Sequence, residues 1–366
     1  MKIELIDLRK RFQEEKNEIM ECIENVLEKG NLVLTEEVNN FERSITEYTG
    51  AKYCLGLNSG TDALMMSLWS CGIKKDDEII TSPKSFIASI GAIIHLGAKP
   101  VFVDINDDLN INCDLIEKAI TNKTKAILPV HWTGRICDMD KINEIAKKHN
   151  LLVIEDAAQA MGSFYKNTHG GRFGEVSAFS AHPLKNLNAL GDSGFIITDN
   201  KEIFEKIKLY RNHGLEGRDS VAIFGINSRL DSLNAAILSY RLKRLNSIID
   251  RRTNNIKLYK KYIKTNKVRL PDNKEYEKNS YVMFIAVCEN RDELQNYLTS
   301  KGIQSLIYYG TPLHLHKASK YLGYKKDDFP KVENLCSKVL ALPHHQHLKE
   351  EEIKYVCDEI NKFYSN

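Results

Sequence analysis

Between residues 53 and 210 the chain alternates short apolar runs with amphipathic stretches, and this alternation restricts the fold more than any other feature. The runs Tyr53–Leu57, Glu78–Thr81, Pro100–Ile105, Ala126–Trp132, Leu151–Glu155, Ala178–Ala181 and Phe195–Thr198 have the length of strands. Helical spacing is found between most of them, for example over Asp62–Ser70, Asp138–His149 and Lys201–Tyr210. Such a pattern predicts an α/β fold, a mostly parallel sheet covered by helices on both faces. Sheets of this kind bind ligands where strands end and loops begin. Upstream, Val38, Phe41, Ile45 and Tyr48 recur at helical spacing until Gly50 stops the run, so the first stretch is expected to be helical.

The pattern changes after Asp231, where one long helical stretch runs to Tyr262 and is expected to connect to a smaller domain. From about Asn266 the chain reads as α+β, with a strand at Tyr281–Val287 and helices at Asp292–Lys301 and Lys349–Phe363. A chain of 366 residues exceeds what one compact core usually holds. The expected division is therefore a large domain over 1–240 and a smaller C-terminal α+β domain over 241–366. Charge excludes some partners: 52 basic against 49 acidic residues leave no nucleic-acid footprint. The lysines between Lys257 and Lys267 read as the wet face of a helix. No run approaches the ~20 apolar residues of a membrane span. The opening Met1–Asp7 carries no targeting pattern. None of the eight cysteines forms a Cys-x-x-Cys pair, so neither zinc nor a redox pair is indicated, and the thiols fit a reducing cytoplasm.

Four segments carry the chemistry. Leu151–Gln159 is an apolar strand ending in Glu155 and Asp156. A carboxylate there can face a ligand from a fixed backbone, as a pyridoxal cofactor requires opposite its ring nitrogen; an acid at a strand end can equally cap the next helix. Ser177–Leu187 runs from a strand through Pro183 to Lys185. A Schiff-base lysine needs rigid placement and an easily lost proton, and Lys185 lies among small and apolar residues. Leu57–Leu64 is a strand, a small-residue turn and a helix start, where backbone N–H groups favour a phosphate. A simple cap by Ser59 or Thr61 is compatible with the same sequence. Finally, Phe86 follows a strand on the expected ligand side, where a flat ring could stack, although a core position would also account for it.

The order of these segments resembles the DegT/DnrJ/EryC1/StrS sugar aminotransferases, within fold type I of the pyridoxal-phosphate enzymes. The resemblance runs through Gly30–Thr35, Ser59–Leu64, Gly97–Asp104, Val130–Gly134, Glu155–Ala160, Ser180–Lys185, Gly225–Asp231, Thr311–His314 and Leu342-Pro343. It implies a large domain and a smaller C-terminal one, with pyridoxal 5'-phosphate carried by Lys185, which also moves protons between carbons. Asp156 would pair with the ring nitrogen, Gln159 would contact the ring hydroxyl and Phe86 would stack on the ring. Thr61, Asp62 through its backbone, and Ser180 would hold the phosphate. Family members are homodimers with shared sites, so Asn227, and with it Arg229, would reach the phosphate or substrate of the neighbouring subunit. The implied reaction moves an amino group from L-glutamate to a keto sugar, expected to be nucleotide-linked, for amino-sugar and surface-polysaccharide synthesis.

Some positions depart from the family pattern. Gly191-Asp192-Ser193-Gly194 stands where Gly-Glu-Gly-Gly is common. The forms Asn186–Asp192 and Asn227–Asp231 look most like members acting at the sugar 3-position, hence a 3-keto-6-deoxy sugar. His182 and His314 are candidate substrate contacts, with packing as the alternative for each. His344, His345 and His347 replace a more usual Leu-Pro-x-x-Pro-x-Leu ending; without acids or thiols at ligand spacing they predict no metal, and a substrate-facing or surface loop is expected. Relatives that act as sugar dehydratases carry a histidine where this chain has Lys185, which argues against that rival. A transaminase for a non-nucleotide keto or aldehyde sugar acid is the other alternative. A regulator that keeps only the fold would be expected to lack Lys185 or Asp156. An unrelated phosphate-binding module lacks support, since no Gly-x-x-x-x-Gly-Lys-Ser/Thr loop is present.

Overall fold

The structure, a computed structural model, describes residues 1–365. Seven strands form the central sheet: β1 (Tyr53–Leu57), β2 (Glu78–Thr81), β3 (Lys99–Phe102), β4 (Thr124–Leu128), β5 (Leu152–Asp156), β6 (Val176–Ser180) and β7 (Gly194–Thr198). Their order is β1-β7-β6-β5-β4-β2-β3. Only β7 runs against the others, pairing antiparallel with both β1 and β6. The expected run Ala126–Trp132 stops as a strand at Leu128 because Pro129 has no N–H to continue the ladder.

The sheet is apolar on both faces, and alternate residues of each strand serve different cores. Ile127, Val153, Phe195 and Ile197 point to one side, where they meet Phe41 and Ile45 of α2 (Glu36–Thr49), Ile142 of α5 (Met139–His149), and Leu238 and Leu245 of α7 (Ser232–Tyr262). Ala126, Leu128, Ile154 and Ile196 point to the other. There they meet Leu64 and Leu68 of α3 (Gly60–Ser70), Ile93 of α4 (Ile87–His95) and Ile207 of α6 (Lys201–Tyr210). This is the three-layer α/β arrangement that the alternation predicts.

The C-terminal part is α+β. An antiparallel sheet of Val268–Arg269, Ile285–Cys288 and Val339–Ala341 packs with α8 (Arg291–Ser300) and α10 (Glu350–Ser365) around Phe284, Leu294, Leu298, Ile353 and Val356. Helix α7 spans the expected boundary near residue 240. Its contacts pass from the large core at Ile249 to the small core at Ile256 and Tyr259. The chain start also joins the small core: Ile3 is buried there and bridges to Ile303. The first helix, α1 (Leu8–Glu28), then crosses to lie along α7. Among the described residues no helix is long and apolar enough to cross a membrane.

Candidate active site

The carboxyl ends of β5 and β6 and the start of α3 converge. Gly60 opens α3 so close to β6 that a Cβ there would lie 2.7 Å from the Cβ of Ser180. A Cβ on Gly194 would lie 2.4 Å from the backbone of Ser59. Only glycines permit this approach. Ser59 caps the helix, its Oγ accepting the Asp62 N–H at 3.0 Å. The Asp62 N–H is thus engaged within the chain. The N–H groups of Gly60 and Thr61 make no hydrogen bond among the described residues, and Thr61 is exposed. Together with the nearby Ser180 hydroxyl they form a short cradle of donors at the positive end of a helix.

The two acids at the end of β5 have different roles. Glu155 is fully buried and accepts from Gly171 N (2.9 Å), Phe173 N (2.8 Å), Gly174 N (2.7 Å) and His131 Nε2 (2.8 Å). Burial alone would raise its carboxyl, but His131 and these backbone donors hold it below the ordinary value. It is therefore an anion that fixes the loop after β5. Asp156 is also buried, and its Oδ2 accepts from Ser89 Oγ at 2.6 Å while Oδ1 accepts from Ala158 N at 3.2 Å. Burial raises its carboxyl, opposed by Ser89, Ala158, Lys185 and His131.

Lys185 is half-buried and lies in the charge field of Asp156. Burial pushes its amine down to about 8, and Asp156 offsets part of that fall. Its loop is held tightly. Lys185 N donates to His182 O at 2.8 Å, and Asn188 Nδ2 donates to Pro183 O at 2.6 Å. Three buried arginines hold the loop: Arg11 Nη1 reaches Asn186 O (3.5 Å), Arg241 Nη1 reaches Asn188 O (2.7 Å), and Arg252 bonds the Asn186 side chain and Tyr281 O (3.3 Å). Glu15, on α1, pairs with Arg11, Arg241 and Arg244. Arg11 and Glu15 are helical neighbours four residues apart, but their link to Arg241 and Arg244 on α7 is long-range, and no local pattern points to it.

Gln159 is buried, and its Oε1 accepts the Thr133 N–H at 2.8 Å. That bond fixes the amide so that Nε2, which has no partner among the described residues, is the available donor. Phe86 is 51% exposed although it starts α4. Tyr309, not singled out from sequence, comes in from the C-terminal part of the chain. Its ring lies 5.6 Å from that of Phe86 and 5.0 Å from that of Trp132, and its hydroxyl is pushed up by burial, Tyr308 and Asp156. Lys84 fixes this segment by donating to Tyr308 O (3.2 Å) and Tyr309 O (2.9 Å). Only domain packing brings Tyr309 to Phe86, so spacing carried no signal for it.

Other expected residues separate into groups. His182 is exposed beside Lys185, its Nδ1 accepting from Leu184 N at 3.3 Å. Asn227 is exposed, and Arg229 Nη1 donates to Asn212 Oδ1 at 3.1 Å. His314 does not line an open pocket: it is buried between Phe102 and Phe329 with Nε2 3.0 Å from Glu333. The histidine run is not a surface or substrate-facing loop either. His344, His345 and His347 are buried, with Asn255 Nδ2 on the His345 carbonyl and His347 Nδ1 2.9 Å from Glu14. Burial drives His344 to about 3 and His345 to about 4, so both are neutral in the folded chain. Among the described residues no cluster of metal ligands is found.

This geometry has counterparts in known proteins. The profile of the DegT/DnrJ/EryC1/StrS aminotransferase family matches residues 13–361. The chain belongs to that family. It is 40% identical to a dTDP-3-amino-3,6-dideoxy-alpha-D-galactopyranose transaminase of Aneurinibacillus thermoaerophilus, over 99% of both chains. It is 38% identical to a protein of Geobacillus stearothermophilus called a pleiotropic regulatory protein, over 100% of this chain and 99% of that one. Among solved structures, DesV of S. venezuelae, in complex with a ketimine intermediate, superposes with a TM-score of 0.97 at 34% identity, covering 100% of this chain and 99% of that one. Further neighbours have been solved in PLP and PMP forms. The chain is accordingly a pyridoxal-phosphate-dependent sugar aminotransferase of fold type I. Its residues fit the cofactor: a lysine of lowered basicity, a buried carboxylate, an exposed aromatic face and free N–H donors at a helix start lie at or after the carboxyl ends of the interior strands β2, β5 and β6 and at the start of α3.

Proposed function

We propose that this enzyme transfers the amino group of L-glutamate to a nucleotide-linked keto sugar, at the sugar 3-position of a 6-deoxy sugar. The observation that carries the reading is Lys185, its amine lowered by burial, lying in the charge field of a buried, hydrogen-bonded Asp156. Pyridoxal phosphate supplies an electron sink for the bond electrons released at the donor carbon. Lys185 would hold the cofactor at rest, and its Nζ, when free, would carry a proton between the donor carbon and the cofactor side, in the opposite direction for the sugar. Asp156 would pair with the ring nitrogen and keep it protonated, Gln159 would donate from Nε2 to the ring hydroxyl, and Phe86 would cover one ring face. Thr61, Ser180 and the N–H groups at the start of α3 receive the phosphate; the Asp62 N–H, already bonded to Ser59, would join them only by sharing.

The site is proposed to be completed in a homodimer, with Asn227 of the partner subunit on the phosphate and Arg229 of the partner subunit toward the substrate. His182, exposed beside Lys185, is the nearest candidate for the sugar. The 3-position rests on the Asn186–Asp192 and Asn227–Asp231 forms, and the dTDP-3-amino sugar enzyme among the relatives agrees with it. The eight free thiols fit action in a reducing compartment, here the cytoplasm. The name of the Geobacillus relative raises a regulatory reading, but a regulator has no need for Lys185, Asp156 and Gln159 together.

Absorption spectroscopy tests the reading. The purified protein, supplied with pyridoxal phosphate, should be yellow and should bleach with L-glutamate. Adding nucleotide-linked 3-keto-6-deoxy sugars should restore the colour and yield an amino sugar by mass spectrometry, and Lys185→Ala should abolish turnover. A deoxygenated product with no nitrogen gained would mean a dehydratase. Recovery only with 4-keto sugars, or only with non-nucleotide sugar acids, would overturn the substrate assignment alone.

A further inference from the structure

The backbone of Asp156 is fixed at the end of β5, its N–H on Pro129 O at 2.9 Å and its carbonyl accepting His131 N at 3.1 Å. Its carboxylate takes one backbone donor, Ala158 N on Oδ1 at 3.2 Å, and two hydroxyls lie behind Oδ2. Ser89 Oγ is 2.6 Å from Asp156 Oδ2, and Ser85 Oγ is 2.5 Å from Ser89 Oγ. All three side chains are buried, so bulk water does not compete. Valence sets the direction of the chain. A carboxylate can only accept, so Ser89 donates its single proton to Asp156. Ser89 can then only accept from Ser85. A hydroxyl that accepts becomes a stronger donor, and the bond onto the carboxylate gains from the one behind it.

We propose that Ser89 is a positioning residue for Asp156, the middle member of a Ser85–Ser89–Asp156 relay that holds the carboxylate ionised and in one orientation. The inference deepens the proposed function and rests on Asp156 pairing with the cofactor's ring nitrogen. The relay is not helix capping: neither serine Oγ bonds a backbone group among the described residues, and in the nearby cap-like bond the Lys84 N–H donates to Ser82 Oγ. Both serines flank Phe86, Ser89 lying in the first turn of α4. One short segment therefore sets the ring-stacking face and, through Ser89, the acid opposite the ring. Lys185, His131 and Tyr309 also act on the Asp156 charge, but none of them is hydrogen-bonded to its carboxylate.

The test uses holoenzyme reconstituted with ring-15N pyridoxal phosphate, whose nitrogen resonance reports protonation directly. Ser89→Ala should move that resonance toward the unprotonated position and slow the L-glutamate half-reaction about tenfold or more, the loss of one hydrogen bond to a charged group. Ser89→Thr, which keeps the hydroxyl, should restore both. Ser85→Ala should act in the same direction more weakly, and it decides the matter if Ser89→Ala does not fold. An unchanged resonance and rate in the serine variants would overturn the relay. Asp156→Asn separates the two levels. If it moves the resonance and the serine variants do not, only the relay falls. If it leaves ring protonation and rate unchanged, the role of Asp156 falls and the relay with it.

Discussion

Lys185 has two demands on it: it must be neutral enough to attack a carbonyl and fixed enough to do so repeatedly. Burial meets the first by disfavouring the ammonium form, and Asp156 limits the fall, so the amine comes to about 8 and not lower. The sign of the resulting pH dependence is definite. Below about 8 the cofactor-free enzyme carries a protonated, unreactive lysine; above it the neutral amine predominates. The rate at which the apoenzyme captures pyridoxal phosphate, followed by absorbance, should rise to about pH 8 and then level off. A rate still climbing through pH 10 would mean an amine of ordinary basicity. At this scale the sequence was informative for residues attached to a strand end. Lys185, Asp156, Gln159 and Phe86 each stand at or after the carboxyl end of a legible strand. His314 was not legible, because its burial depends on Phe102, Phe329 and Glu333, which local spacing does not relate.

At the scale of elements, the loop carrying Lys185 is held by helices rather than by its own residues. Glu15 is the charge balance of that support, its two oxygens shared among Arg11, Arg241 and Arg244 in a nearly dry environment. Removing one member of a buried ion cluster leaves the others uncompensated, at a cost of about 3–5 kcal/mol. Glu15→Ala should therefore lower the denaturation midpoint strongly, as followed by circular dichroism in urea, and loosen the loop enough to weaken cofactor retention. A change of only a few tenths of a kcal/mol, typical of an exposed pair, would show that the cluster is open to water. The strands β1, β2, β4, β5 and β7 were legible because sheets buried on both faces need unbroken apolar runs. The clamp was not, since α1 meets α7 across more than two hundred residues and only tertiary packing joins them.

On the scale of the whole molecule, the chain leaves several large apolar side chains exposed. Phe224 is 96% exposed, and Val221 and Ile226 beside it are exposed too, as are Leu32, Val33 and Leu190. Together they are what an obligate partner surface would offer. The loop that carries Phe224 also carries the exposed Asn227. A shared site makes a prediction that folding or packing defects cannot imitate. Lys185→Ala and Asn227→Ala proteins should each be impaired, the first completely and the second through weak cofactor phosphate binding. In a mixed dimer, Lys185 of the second protein faces the unaltered Asn227 of the first, so one of the two sites is intact. Mixing the variants under conditions that exchange subunits should therefore create activity absent from the Lys185→Ala protein and exceeding that of Asn227→Ala alone at limiting cofactor. Dimers that exchange without any gain would place Asn227 in its own subunit's site and leave the exposed loop to some other partner surface.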